Sequence, residues 1–215
     1  MRRTSWLAGI LRGILIFLAL SGLSACVASR MHAESKGAVN ARMEVLVNST
    51  IDLHKMKTIG VFPFTSPSEM ADDCAKITTA FEEQLLRQRP FRGVRSLRYP
   101  VGTDSEALWY GRTEGCDLVM IPAIIYLMDG TGAMPTELVI RTRILDVRTG
   151  MTLWDIKQQV VSEPGLDIDL TWATVSGKPA QRYHALADEL ACRFADFLLK
   201  DEMKSEITFS KIVLQ

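Results

Sequence analysis

The sequence lacks most of the features that would support catalysis or nucleic-acid binding. Its 215 residues carry 25 Lys and Arg against 25 Asp and Glu, so there is no basic excess to neutralise a phosphate backbone. It has three His and four Cys, and no cysteine pair has the C-x-x-C spacing of a zinc ribbon or a thioredoxin-type site. G-x-S-x-G, H-E-x-x-H and P-loop motifs are missing. We therefore expect a non-enzymatic protein with no metal and no nucleic-acid partner.

Long apolar runs are also scarce, and the N-terminal one has the pattern of a secretory signal. Arg2 and Arg3 precede an apolar stretch at residues 10–20, which is too short to span the ~30 Å hydrocarbon core of a bilayer. Small residues follow this stretch, as they do before the cut of a signal peptidase. We expect the segment to direct export and then to be removed.

The end of this segment resembles the lipobox of bacterial lipoproteins. In that resemblance the lipobox is Leu23, Ser24 and Ala25, of which Leu23 fills the peptidase pocket and Ala25 supplies the small residue before the cut. Cys26 then carries lipid on its sulfur, and this covalent lipid is the only cofactor expected. Val27 stands where Asp would retain a lipoprotein in the inner membrane, so the resemblance implies the periplasmic face of the outer membrane. The alternative is an ordinary secreted protein in which Cys26 is incidental.

The chain divides into four predicted segments. These are a signal peptide at 1–25, the lipidated cysteine and a tether at 26–55, an α/β domain at 56–200, and a C-terminal tail or extra strand at 201–215. The tether has no clean hydrophobic period and offers only a short strand at residues 43–47. In the last segment, residues 207–214 are the candidate strand.

Apolar runs and helix-capping signals alternate from residue 57 onward. The predicted strands cover residues 58–64, 91–97, 117–127, 137–147 and 151–161, and the predicted helices begin near 66, 103 and 183. Pro122 counts against a central place for the third strand, because proline removes a ladder donor. The order β-α-β-α-β-β-β-α indicates an α/β fold, with a single mixed sheet and amphipathic helices packed against it.

Four stretches of the domain carry a further resemblance. They are Ile59–Phe64 (IGVFPF), residues 80–86 (AFEEQLL), residues 115–119 (GCDLV) and residues 145–154 (LDVRTGMTLW). Together they are similar to the fold shared by the curli secretion lipoprotein CsgG, the penicillin-binding-protein activator LpoB, the polysaccharide-export lipoprotein PelC and the N-terminal domain of TolB. The match covers roughly residues 56 to 200.

This resemblance implies a non-enzymatic periplasmic module that binds protein partners or assembles into rings. CsgG extends its hairpins into long membrane-crossing strands, whereas the turns at 129–134 and 148–150 are short here, which argues against a pore of that kind. We expect a membrane-anchored interaction module in envelope assembly or export, with envelope proteins and copies of itself as partners. The alternatives are an LpoB-like regulator of a cell-wall synthase, and a periplasmic enzyme or ligand carrier with a deep polar pocket.

Three side chains are candidates for partner or membrane contact. Trp172 lies in a Gly-, Pro- and Asp-rich loop at 163–179, where its ring either meets a membrane or partner or folds over the sheet. Arg141 and Arg143 alternate outward on a predicted strand, as either a solvated face or a contact surface. Trp154 follows a hairpin turn and is predicted to lie in the core.

Two further sets of residues have ordinary structural explanations. Asp167 and Asp169 alternate in the same loop, but calcium takes about six to eight oxygen ligands, so a solvated face is favoured over a metal site. Cys74 lies on the apolar stripe of a predicted helix, which favours a buried free thiol. The pairing of Cys74, Cys116 and Cys192 in an oxidising compartment stays open.

Overall fold

The computed structural model describes residues 38–48, 56–67, 71–130, 132–170 and 173–213. The predicted signal peptide, the lipobox with Cys26, and Trp172 lie outside the described residues. Among those that are described, no helix is long and apolar enough to cross a membrane.

The described residues form three helices and eight strands, and the predicted α/β class is confirmed. In chain order the elements are β1 (Ala38–Asn48), β2 (Thr58–Val61), α1 (Ala71–Gln88), β3 (Gly93–Ser96), α2 (Asp104–Thr113), β4 (Leu118–Met128), β5 (Thr136–Asp146), β6 (Thr152–Glu163), β7 (Ile168–Leu170), β8 (Ala173–Val175) and α3 (Tyr183–Val213). From β2 to β6, and then to α3, they follow the predicted order.

Six strands form one mixed sheet in the order β1-β6-β5-β4-β2-β3. β2 lies parallel to β3 and β4, while β4, β5, β6 and β1 pair antiparallel. The parallel strands follow from the helices between them, because a parallel pair needs a crossover connection and an antiparallel pair needs only a turn. β7 and β8 form a separate small hairpin within the loop predicted at 163–179.

The first strand is longer than predicted and lies in the segment interpreted as a tether. β1 covers 11 residues and pairs with β6 from Ala38 to Asn48, whereas the sequence predicted at most a strand at 43–47. Its residues alternate between apolar Val39, Ala41 and Met43 and polar neighbours, which is the period of a half-buried strand. The tether before the sheet is therefore shorter than expected.

The prediction of a C-terminal strand at 207–214 is wrong, because α3 continues to Val213. The β-branched residues Ile207, Thr208 and Ile212 favour a strand by propensity. Extending a helix that is already formed costs less than starting a new element. The stretch therefore continues the helix that begins at Tyr183.

Pro122 is tolerated in β4 because its missing donor faces the side on which β2 has ended. Met120 O accepts from Phe62 N at 3.1 Å, and Ile124 N donates to Thr65 O at 2.7 Å. Residues 120, 122 and 124 direct their backbone N–H and C=O groups to the same side of β4, toward the irregular segment at residues 62–65 that follows β2. An N–H at Pro122 would therefore also face that segment and not β5. On the other side β4 keeps its register with β5, where Pro122 lies opposite Thr142.

The core lies mainly between the sheet and the pair of helices α1 and α3. Phe81 and Phe194 are fully buried with their ring centroids 5.6 Å apart, and they join the two helices above the strands. Trp154 is 1% exposed, so its predicted core position is confirmed. Cys74 and Cys116 are buried and Cys192 is half-buried, and all three are free thiols. Burial raises the pKa of Cys74 and Cys116.

Helix α2 packs alone against the opposite face of the sheet, over a smaller apolar cluster. Ala107 of α2 is buried against Phe62, Val119 and Val147. At Gly111 the helix comes so close to the sheet that an added Cβ would lie 2.6 Å from Val119 Cγ1 and 2.9 Å from Val147 Cγ2. The absence of a side chain at this position allows that approach.

We expect Gly111→Ala to lower the free energy of unfolding by about 1–3 kcal/mol, because the added methyl overpacks the contact with Val119 and Val147. The sign of the change distinguishes this effect from helix propensity, because Gly→Ala within a helix usually stabilises a protein by roughly 1 kcal/mol. Urea unfolding of the chain that starts at residue 27 measures the change. Gly102→Ala is the control, because its Cβ would meet nothing nearer than Glu106 Oε2 at 4.0 Å; equal stabilities of the two variants would contradict the close approach.

A second prediction concerns Asp146, which ends β5 at the turn into β6. Burial acts to raise its pKa, but hydrogen bonds from Thr149 N at 2.8 Å and Lys57 Nζ at 3.1 Å outweigh this effect, so that the pKa is lowered. A lowered pKa in the folded state means that the carboxylate stabilises the fold above the unfolded value of about 3.9. This stabilisation is lost as the pH falls through the lowered pKa.

Asp146→Asn is therefore expected to reduce stability clearly at pH 6 and much less at pH 3. Urea unfolding measures the free energy of unfolding of the unchanged protein and of the variant at both pH values. The loss caused by the substitution is then compared between pH 6 and pH 3, and the effect of protonating other carboxylates cancels because both proteins share it. A destabilisation that is the same at both pH values would show that the charge of Asp146 has no part in it.

Candidate interaction surfaces

Most of the sheet face that carries α2 is left uncovered. We call this uncovered part, on β1, β6, β5 and β4, the open face. Directly opposite residues on paired strands share a face, and the ladder registers place charged and polar side chains on it. They are Arg42, Glu44, Glu137, Arg141, Arg143, Asp155, Lys157 and Gln159. An antiparallel sheet with one packed and one polar face needs no second layer.

Arg141 projects onto the open face as predicted, but its charge is already paired. Its Nε donates to Asp155 Oδ1 at 2.8 Å and its Nη2 donates to Asp155 Oδ2 at 2.6 Å. These bonds and the charge of the carboxylate raise the pKa of Arg141. The bidentate geometry fixes the guanidinium in place, so Arg141 is part of a neutral, ordered pair.

Arg143 lies two residues further along the same strand and ties β5 to α2. Its two Nη atoms donate to the two carboxylate oxygens of Asp104, both at 2.8 Å. Arg141 and Arg143 thus meet at one small pocket of about 160 Å³, which Thr65 and Ile121 also line. Since each arginine is neutralised by a carboxylate, the pocket has no net charge with which to attract an anion.

The first turn of α2 is fixed by the predicted N-cap Thr103, while Glu106 accepts from the residue before the cap instead of from the N-cap N–H of a complete capping box. Glu106 N donates to Thr103 Oγ1 at 3.3 Å, and Gly102 N donates to Glu106 Oε2 at 3.0 Å. At the other end Arg112 Nε donates to Val147 O at 3.3 Å. The helix is therefore held at both ends.

An exposed cluster of aromatic rings lies on and beside α2. We call Tyr99, Trp109 and Tyr110 the aromatic surface. Tyr99 is 63% and Trp109 58% exposed. Tyr110 lies between them, stacked on Tyr99 with centroids 5.7 Å apart and edge-on to Trp109 at 4.9 Å. Its other edge meets the buried ring of Phe62 at 6.4 Å, so the cluster is anchored in the core.

The aromatic surface could be predicted only in part from the sequence. Trp109 and Tyr110 are adjacent on a predicted helix, and their exposure could be suspected from the amphipathic pattern. Tyr99 lies ten residues before Trp109 in a loop, and nothing in the local pattern predicts that its ring stacks on Tyr110.

The described residues offer no cluster of three or more His, Cys, Asp or Glu side chains that could hold a metal ion. Asp167 and Asp169 make local hydrogen bonds around the small hairpin. Gly177 N donates to Asp167 Oδ1 at 2.7 Å, and Thr174 Oγ1 donates to Asp169 Oδ1 at 3.0 Å. Both carboxylates are thus used within their own loop, in line with the structural explanation.

No protein-family model and no curated protein matches the sequence. Among solved structures, the PelC dodecamer from Paraburkholderia phytofirmans is similar with a TM-score of 0.53 and 15% identity, over 75% of this chain and 98% of that one. The chain has a PelC-like fold. The expected resemblance to PelC is thereby confirmed for the fold, while lipidation of Cys26 and the outer-membrane location stay predictions.

Two further solved structures are more distantly similar. The LpoB C-terminal domain from Salmonella enterica has a TM-score of 0.37 and 13% identity, over 58% of this chain and 85% of that one. The lipoprotein GNA1162 from Neisseria meningitidis has a TM-score of 0.35 and 15% identity, over 48% and 78%. At these TM-scores only the likeness to PelC bears on the fold.

The ion pair between Arg143 and Asp104 gives a prediction for the rigidity of the aromatic surface. Arg143→Met is expected to cost roughly 1 kcal/mol of stability, because the pair is partly exposed. It should also weaken the near-ultraviolet circular dichroism of the aromatic rings, since α2 loses its tie to β5. Arg148→Met, at an exposed turn position, is the control; if both variants keep the native spectrum, the ion pair does not hold α2.

Proposed function

We propose that this chain is a lipid-anchored, homo-oligomeric protein of the outer membrane that acts through protein–protein contacts in envelope assembly or export, without catalysis. The observation that carries the interaction role is the aromatic surface. The PelC-like fold supports self-association, because the similar PelC structure is a dodecamer.

The aromatic surface has the composition of a protein-binding hot spot. Single exposed rings are common on protein surfaces, but here Tyr99 and Trp109 are both more than half exposed and both packed on Tyr110. Rings already held in place lose little conformational freedom on binding, and Trp and Tyr dominate the binding energy of many interfaces. Tyr110 therefore presents two large rings to a partner at low entropic cost.

Two charged residues flank Trp109 on α2. Glu106 and Arg112 lie one turn before and one turn after Trp109 on the exposed side of α2. An apolar or aromatic centre within a polar rim is the usual anatomy of a protein–protein interface. The partner surface is therefore expected to offer an apolar pocket for Trp109, bordered by groups that pair with both charges.

The proposed anchor confines this surface to a thin layer. Eleven residues separate Cys26 from Ala38, and a chain of that length reaches at most about 40 Å. Restricting the protein to a layer next to the membrane raises its effective concentration toward partners in the same layer. Trp172, between β7 and β8, remains a proposed second contact with the membrane or with a partner.

The test places a photoreactive amino acid at Thr113, beside the aromatic surface, in the full chain in its native membranes. We expect one discrete adduct with another envelope protein, identified by mass spectrometry. Trp109→Ala should weaken binding about thirtyfold and reduce this adduct accordingly, because removing a hot-spot ring typically costs about 2 kcal/mol or more. The same probe at Glu83, exposed on α1, is the matched control.

The identity of the adduct also separates the alternatives. An export component supports the proposal as stated, whereas a cell-wall synthase would make the chain a regulator of that enzyme. An adduct that forms equally at Glu83, or that survives Trp109→Ala unchanged, would contradict a partner at the aromatic surface.

A further inference from the structure

Strand β1 is a long edge strand whose outer side is unpaired within the described chain. It has 11 residues and pairs with β6 on one side only. The other edge strand, β3, has four residues, and short edges are one way in which proteins avoid unwanted pairing. The length of β1 therefore makes it the better template for a further strand.

The face of β1 that continues the helix-covered side of the sheet is apolar and only half covered. Ala41 and Met43 pack partly against the main core. Val39 and Val45, on the same face, remain 42% and 38% exposed. A second strand along β1 would cover these side chains as well as the unpaired backbone.

Two charged residues of β1, on the open face, indicate which chain supplies the strand that pairs with it. Arg42 and Glu44 are exposed and flank Met43, and they share a face because they are two residues apart. On β6, Arg42 lies opposite the neutral Gln159, whose amide donates to Glu137 at 2.6 Å. Among the described strands Arg42 thus has no acidic residue opposite it, whereas Glu44 lies opposite Lys157 of β6.

We propose that β1 pairs antiparallel with β1 of a second copy of this chain, about a two-fold axis through Met43. In this register Arg42 of each copy lies directly opposite Glu44 of the other, which gives two reciprocal ion pairs on the open face. On the other face Ala41 lies opposite Val45, and the two Met43 side chains meet. The two sheets join into one continuous sheet, and the interface is the same patch on both copies.

The charges select this register over its neighbours. Sliding the axis by one position to residue 42 places Arg42 opposite Arg42, and sliding it to residue 44 places Glu44 opposite Glu44. Like charges directly opposite each other destabilise a strand pair, and opposite charges stabilise it. The Met43-centred pairing avoids both clashes, and this self-complementarity is the reason for assigning the edge to a second copy.

The proposed anchor is compatible with this dimer. A two-fold axis perpendicular to the joined sheet can stand along the membrane normal, so that both copies present the same face to the bilayer. Each Ala38 then lies about 17 Å from the axis, five residues from Met43 at 3.3 Å per residue. Both tethers can therefore reach the same membrane. The inference rests on the homo-oligomer of the proposed function and names one interface of it, because a two-fold contact by itself joins only two copies.

Disulfide cross-linking of the full chain in native membranes tests the pairing. Directly opposite residues of an antiparallel pair have Cα atoms about 4.5–5.5 Å apart, which a disulfide can bridge. Met43→Cys is therefore expected to give a cross-linked dimer with a mild oxidant. Val45→Cys is the matched control, because its two copies would lie about 13 Å apart along the strands. The unmodified chain, with its own cysteines, gives the background.

Charge reversal in the Met43→Cys chain supplies the second arm. Either Arg42→Glu or Glu44→Arg alone places two like-charge pairs across the interface and should lower the dimer yield by about tenfold. The double exchange of both residues restores opposite charges and should restore the yield. This rescue cannot result from misfolding of the single variants.

The outcomes separate this inference from the proposed function. Cross-linking at position 43 but not 45, with rescue by the double exchange, supports the β1 pairing. If native mass spectrometry shows an oligomer but Met43→Cys gives no more cross-linked dimer than the unmodified chain, the β1 pairing is wrong and the proposed oligomer stands. If the membrane-bound chain is monomeric, both fail. Equal yields at 43 and 45, or no rescue, would also overturn the register.

Discussion

The burial of one face of the sheet under α1 and α3 is the contact on which the rest of the structure depends. Phe81 and Phe194 join these helices above strands whose inward residues are mainly apolar. The buried polar exceptions on this face are Thr136, Thr142, Gln158 and Ser162. The described chain has only one other helix in contact with the sheet, the ten residues of α2. That helix can cover only one part of the second face, and Gly111 and the Arg143–Asp104 pair fix which part it covers.

This unequal covering accounts for the surfaces available to partners. Next to α2 the second face is apolar and closed, and the helix carries Trp109 and Tyr110 on its outer side. Away from α2 the same face is polar, and Arg141 on it is neutralised by Asp155 at hydrogen-bond distance. At the far edge β1 combines a half-covered apolar face with a backbone edge that no other described strand pairs with. The molecule therefore offers an aromatic patch and a strand edge for contact with other chains.

The central strands and helices could be predicted from the sequence because their signals are local. Apolar runs and turn residues located β4, β5 and β6, and the Thr103–Glu106 capping box located the start of α2. β1 was largely missed, since its side chains are only half buried and its stability comes from pairing with β6, more than 100 residues away. The prediction of a C-terminal strand was wrong because it relied on the β-branched residues at 207–212, although the helix that begins at Tyr183 continues through them.

The candidate surfaces were predictable only in part, for the same physical reason. The alternation of Arg141 and Arg143 correctly placed both side chains outward, but their partners Asp155 and Asp104 lie on other elements and become neighbours only in the folded chain. The stacking of Tyr99 on Tyr110 likewise depends on how the loop after β3 folds back on α2. Contacts of this kind are tertiary, and the local sequence pattern does not encode them.

Native mass spectrometry of the full chain, released gently from its membrane, reports lipid attachment and subunit number in one spectrum. We expect an assembly with an even number of subunits, each lacking the first 25 residues and carrying acyl chains on Cys26. A single subunit with an unmodified cysteine would overturn both the proposed anchor and the proposed self-association.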